Sequence, residues 1–215
     1  MTLFAIGPFT DIACLRRAYP EVYGKVKEII GLVGSLDGEP VINNTQVVDF
    51  NFAMDPTALG LVIQNSPVPV TFILFEVSQL GSLTLDSLQA WQRSASQMQQ
   101  YYGSASIPHA EYWNEVFDIS SGQALFDAHT VYYFLNPDLY LCEDNMLATA
   151  NINNYPDLNA KTSGNTLVVE SQANIGSVGE AVTGNSISGF VRACYGFKNA
   201  QSVQQFEQAV KSSIM

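Results

Sequence analysis

The sequence predicts an α/β fold, a mostly parallel sheet with helices on both faces. Three apolar runs closed by turn residues (TLFAIGP, EIIGLVGS and PVPVTFILFEV) have the length and composition of strands buried on both faces. Between them lie stretches with apolar residues at helical spacing, some opened by a capping residue or an Asp-Pro pair. Strands that alternate with helices imply right-handed βαβ crossovers and hence a parallel sheet. With 215 residues and 47 % hydrophobic content, a single domain over 1–215 is expected, burying roughly 70 % of its unfolded surface.

Leu3 to Ile6 reads as the first strand, ended by Gly7-Pro8. Thr10 or Asp11 then caps a helix through Arg17, acidic at its start and basic at its end, as the helix dipole favours. Pro20 opens a short helical piece, and Glu28 to Ser35 forms the second strand. Leu36 to Met54 is a long polar loop, and loops of this length inside compact domains are usually functional. Asp55-Pro56 supplies an N-cap and a proline at the first helical position for a helix from Thr57 to Gln64. Pro67 to Val77 is the third strand. Leu85, Leu88, Trp91, Ala95 and Met98 mark one amphipathic helix within Leu83 to Tyr102, and a further helical piece covers His109 to Phe117. A largely buried helix from about Ala124 to Leu135 stops at Asn136-Pro137. Beyond the turn-rich stretch from Asn151 to Gly164 come a short strand in NTLVVE, a last strand in SISGFVRACYGF and a closing helix from Ala200 to Ile214.

Open α/β sheets bind ligands beyond the carboxyl ends of their strands. Gly7 to Thr10, Gly34 to Asp55 and the helix start near Leu125 are therefore expected along the binding edge.

The net charge of −11 repels phosphate backbones and anionic headgroups, which argues against nucleic acid and membrane as partners. Charged residues are only 13 % of the chain, so Asn, Gln, Ser and Thr must carry much of its polar surface. Cys14, Cys142 and Cys194 have neither metal-ligand nor disulfide-framework spacing and are expected to be buried free thiols. No leader pattern opens the chain and no apolar run reaches the roughly 18 residues of a membrane helix, so a cytoplasmic location is expected.

There is no P-loop, G-x-G-x-x-G, H-E-x-x-H or G-x-S-x-G motif. What stands out is a set of three separated pieces: AIGPFTDIA from Ala5, NNTQVVDFNFAMDPTAL from Asn43 and LFDAHTVYYFLNP from Leu125. In this order they resemble the inosine-uridine preferring nucleoside hydrolase family, whose members carry a strand ending G-P-L-T-N-x-A, an E-F-N-x-x-x-D-P-E-A-A segment and an H-D-P-x-A-V helix start. The resemblance runs from Thr2 to about Pro137 and continues more weakly to the end. It implies a Rossmann-like fold and cleavage of the N-glycosidic bond of nucleosides by a calcium-bound water. Metal and nearby Asp, Asn and Glu side chains would hold the ribose. A metal-held water and carboxylates beside an oxocarbenium-like sugar are chemically suited to that reaction.

Carried over by position, the resemblance makes Thr10 a calcium ligand through its carbonyl, and Asp127 a ligand of both calcium and ribose. Asn51 would bind the ribose, while Asn43 and Asp49 would hold the sugar near its 5′-hydroxyl, Asp49 standing where the family has glutamate. Read from the residues alone, Thr10 and Asp127 are also candidate helix caps, and Asn43, Asp49 and Asn51 loop residues making Asx turns. Phe126 replaces the histidine that precedes the metal-binding aspartate in many members; it can stack on a base but cannot donate a proton. His129 lies about 200° round the helix from Asp127 and is expected to pack elsewhere. His109 falls in a region too variable to align.

The family's D-x-D-x-x-x-D-D signature, which supplies further calcium ligands and the base, lies N-terminal to the first piece and occurs nowhere in this sequence. The chain is thus expected to be the carboxyl-terminal two-thirds of such a domain, lacking its first strands and inactive alone. Thr10 and Asp127 offer about three oxygens where calcium takes roughly six to eight. The alternatives are a nucleoside- or ribose-binding or interaction module without chemistry, and an unrelated α/β ligand-binding domain. A homo-oligomer fits the family habit.

Overall fold

The computed structural model describes residues 1–36, 41–42, 45–46, 49–117, 122–152, 166–171 and 186–214. In chain order the elements are β1 (Thr2–Ala5), α1 (Thr10–Ala18), α2 (Pro20–Tyr23), β2 (Glu28–Leu32), β3 (Ser35–Leu36), β4 (Val41–Ile42) and β5 (Thr45–Gln46). Next come α3 (Phe50–Met54), α4 (Pro56–Ile63), β6 (Val70–Ile73), α5 (Phe75–Ser78), β7 (Ser82–Leu83), α6 (Leu85–Gln92) and α7 (Gln97–Phe117). The last are β8 (Gln123–Ala124), α8 (Ala128–Leu135), β9 (Tyr140–Asn151), β10 (Thr166–Glu170), β11 (Ser186–Phe197) and α9 (Ala200–Ser213).

Among the described residues seven strands form one sheet in the order β1-β2-β6-β11-β9-β10-β3. The first four run parallel, with Leu3 beside Ile29, Ile30 beside Thr71 and Ile73 beside Cys194. β9 is antiparallel to both β11 and β10, and β3 pairs parallel with β10 at the far edge. The architecture is the expected α/β one, with a mixed, mostly parallel sheet flanked by helices.

Because successive side chains on a strand point to opposite faces, neighbours in sequence feed two cores. Ile29 and Phe72 join Phe9, Leu59 and Met146 on one face; Ile30 and Ile73 join Leu88, Tyr140 and Phe206 on the other. Fully buried Phe9 lies against Gly31 so closely that a Cβ there would come within 2.5 Å of its ring.

Several elements differ from their sequence reading. The second strand stops at Leu32 rather than Ser35, because Gly34 takes φ +89° and turns the chain away. Leu83–Tyr102 is two helices, since Ser94 and Ser96 hydroxyls accept the backbone N–H groups of Ser96 and Gln99 and interrupt the ladder. The third strand is confined to Val70–Ile73, and the late helix begins at Ala128, Gln123–Ala124 pairing with β7 instead.

β9 is an element the sequence reading lacked. Its apolar run is broken by Glu143, Asp144 and Asn145, the last at φ +59°. The cysteine expectation is overturned with it: Cys142 and Cys194 face each other on β9 and β11 and form a disulfide, while Cys14 is free and exposed rather than buried.

Among the described residues β1 pairs with β2 alone, leaving Phe4 and Ile6 exposed beside Phe134, whose ring meets Phe4 edge-on at 5.6 Å. No helix among the described residues is long and apolar enough to cross a membrane.

Candidate active site

A cavity of about 360 Å³ opens at the carboxyl ends of β1, β2 and β6, where parallel sheets place their ligand sites. Ile6 follows β1; Leu32 ends β2, with Val33 and Gly34 after it; Phe75 and Ser78 come from α5; Asp49, Phe50 and Asn51 from the start of α3. Tyr112 and Trp113 of α7, with Phe126 and Asp127 ahead of α8, complete it.

The polar side begins with the turn at Gly34. Its N–H donates to Asp49 Oδ2 and its carbonyl accepts from Phe75 N at 2.8 Å, so the backbone is gripped from both sides. Asp49 Oδ1 accepts from Phe52 N at 3.0 Å and caps α3. Burial pushes the Asp49 carboxyl above the usual range, against the pull of backbone N–H groups from Phe52, Gly34 and Asn51. Asn51, one residue into α3, donates Nδ2 to Leu32 O at 2.8 Å, which ties that helix to the end of β2.

Asp127 is arranged differently. It occupies the N-cap position of α8, yet its side chain accepts no capping hydrogen bond, and the turn is closed instead by Thr130 Oγ1 on the Asp127 carbonyl at 2.8 Å. Its carboxylate stands exposed at the cavity mouth, with its protonation shifted upward by partial desolvation.

The residues singled out from sequence therefore separate into groups. Asp49, Asn51 and Asp127 line one cavity. Thr10 does not line it: Phe9, not Thr10, holds the cap position of α1, and the Thr10 hydroxyl donates to Asp55 Oδ2 at 2.7 Å, beside the Asp55 Oδ1 that caps α4. Asn43 lies outside the described residues.

His129 is fully buried on the opposite side of α8, with Nε2 donating to Leu80 O at 2.9 Å and Nδ1 accepting from the Tyr140 hydroxyl at 3.1 Å. Burial pulls its pKa down to about 3, partly offset by the Leu80 carbonyl, so it stays neutral as a packed core histidine.

The sequence reading named Phe126 as a stacking face but missed the rest of the aromatic wall. Phe126 stacks on Phe75 at 6.0 Å and meets Trp113 at 5.7 Å, with Tyr112 and Phe50 completing the apolar lining. The available signal was the run YWNEVF in α7, whose aromatics fall on a helix reaching the ends of the strands. The arrangement sets an apolar aromatic wall beside carboxylate and amide groups.

The family model for inosine-uridine preferring nucleoside hydrolases matches residues 1–202. The chain belongs to that family. The pyrimidine-specific ribonucleoside hydrolase RihA of Citrobacter koseri is 24 % identical over 140 residues, which are 65 % of this chain and 44 % of that protein. The same values hold for the RihA of Escherichia fergusonii. Among solved nucleoside hydrolase structures, the purine-preferring ribonucleoside hydrolase from Gardnerella vaginalis aligns with TM-score 0.68 and 18 % identity over 99 % of this chain and 61 % of its own. The plant nucleoside hydrolase PpNRh1 aligns with TM-score 0.69, also at 18 % identity, over 96 % and 60 %. These structures share the fold, and the chain spans well under two-thirds of the length of such relatives.

The calcium ion that the sequence resemblance implies does not find its shell in the described residues. Calcium takes roughly six to eight oxygens. Among the described residues no three His, Cys, Asp or Glu side chains gather to hold a metal. Of the two described carboxylates that line the cavity, Asp49 is engaged by backbone N–H groups, whereas the Asp127 side chain accepts no capping bond.

Proposed function

We propose that the cavity binds a ribonucleoside, the ribose against Asp127, Asn51 and Asp49 and the base against Phe126 and Trp113. One observation carries the reading: Asp49 and Asn51 at the start of α3 and Asp127 some distance along the chain line one sugar-sized cavity beside stacked aromatics. The Asp127 carboxylate, exposed at the mouth and engaged in no cap, suits the vicinal hydroxyls of ribose. Asn43 belongs with the sugar-holding residues by its place in the family pattern.

The reaction served is hydrolysis of the N-glycosidic bond. In it carboxylates stabilise positive charge growing on the sugar while the base departs. Phe126 supplies a stacking face and no proton, so the base leaves without an acid at that position. The described residues furnish neither a full metal shell nor a water-activating base, so binding without turnover is the expected behaviour of this chain alone. That behaviour is also what a non-catalytic nucleoside-binding module would display, a second reading favoured by the absence of a metal cluster among the described residues.

Titration of the chain with ribose, inosine and uridine, followed by backbone amide chemical shifts, tests the proposal. Shifts at Asn51 and Asp127 that Asp127→Asn reduces are expected, with no base released in the presence of calcium. An unresponsive cavity would refute the binding reading, and base release by the purified chain would refute the ligand count. An in-frame D-x-D-x-x-x-D-D segment upstream of codon 1 would favour the hydrolase over the module.

A further inference from the structure

Trp113 is held by a neighbour that the sugar and base contacts leave unused. Its indole Nε1–H donates to His109 Nε2 at 2.8 Å, one helical turn back on α7. The other ring nitrogen, Nδ1, lies 2.6 Å from Gln123 Oε1 on β8. The orientation of the Gln123 amide is set by its Nε2, which donates to Ala124 O at 2.8 Å and so turns Oε1 toward the imidazole. An amide oxygen only accepts, so Nδ1 carries the proton and Nε2 is the lone pair that receives the indole. One tautomer is fixed from both sides. Through it β8, which leads directly into Phe126 and Asp127, is tied to the opposite wall of the cavity.

We infer that His109 is a positioning residue that holds Trp113 in the cavity wall, its Nε2 lone pair receiving the indole N–H while its Nδ1–H is engaged by Gln123. The consequence for ligands rests on the ribonucleoside reading: a fixed indole presents a ready stacking face, and a released one must be ordered again on binding.

Trp91 and Trp113 are the two tryptophans, so intrinsic fluorescence of the ligand-free chain reads the contact directly. At pH 8 the Trp113 emission, taken against Trp113→Phe, is expected to be the same in the wild type and in His109→Gln, whose side-chain oxygen accepts the indole N–H, and to differ in His109→Leu; His109→Gln should also keep the affinity for inosine. His109→Leu, which removes the acceptor, should bind inosine about three- to ten-fold more weakly at pH 8, the worth of one hydrogen bond. Trp113 emission unchanged in His109→Leu, or equal inosine affinity in wild type and His109→Leu, would each overturn the inference. If the emission changes in His109→Leu but no variant takes up inosine, the ribonucleoside reading falls and the His109–Trp113 contact stands.

Discussion

In one part of the sheet β1, β2 and β6 are parallel strands of four or five residues, and the cavity opens at their carboxyl ends; in another, β9 and β11 are antiparallel strands of twelve residues joined by the Cys142–Cys194 bond. The short strands hand the chain quickly to turns and helix starts, where Asp49 accepts from the Gly34 and Phe52 N–H groups and Asn51 donates to the Leu32 carbonyl. The long strands carry none of the cavity's lining residues. Rigidity and ligand contact are thus divided between regions, and a change in one should be readable separately from a change in the other.

The largest separation is expected from reducing the disulfide. Closing a loop with a sequence separation of 52 residues stabilises a chain by about 4 kcal/mol through the unfolded state. Urea unfolding with and without reductant should register that loss, while inosine-induced shifts at Asn51 and Asp127 stay unchanged. Titration under denaturing, non-reducing conditions should find one thiol, Cys14, of the three cysteines.

His129 joins the regions, since it sits on α8 and bonds to Tyr140 at the start of β9. Folded, it takes a proton only near pH 3, whereas the unfolded imidazole takes one near 6.5, so the unfolded state binds more protons between these values. Stability should therefore fall as pH drops below 6.5, by about 1.4 kcal/mol per pH unit. Unfolding midpoints at pH 7 and pH 5 measure the slope, and His129→Gln should flatten it.

Smaller effects distinguish the two aspartates at the cavity. Asp49→Ala removes a helix cap and the Gly34 anchor, costing about 1 kcal/mol or somewhat more in thermal unfolding and loosening Asn51 as well. Asp127→Asn caps nothing away, so stability should move by less than about 0.5 kcal/mol while ribonucleoside affinity falls. Equal stability losses in the two variants would mean that Asp127 is structural after all.

Most of the parallel region was legible in the sequence because its signals are local. Gly7-Pro8, Asp55-Pro56 and the apolar runs of TLFAI and EII each report on the few residues around them. β9 was not, because a strand whose middle reads Glu-Asp-Asn is held by partners on both sides rather than by its own pattern. The cystine was hidden for the same reason: Cys142 and Cys194 become neighbours only once β9 and β11 pair. At the cavity, Asp127 could be named from its motif, but Trp113 could not, since α7 reaches the site by a crossing that no spacing encodes.

The open flank of β1 has a consequence for handling the molecule. Thr2 to Ala5 leave one row of backbone donors and acceptors unclaimed by any described strand, with Phe4 and Ile6 beside it. Such a margin templates lateral accretion of other extended segments. Scattered light from a concentrated sample should therefore climb with protein concentration, and a lysine installed at Phe4 should slow the climb.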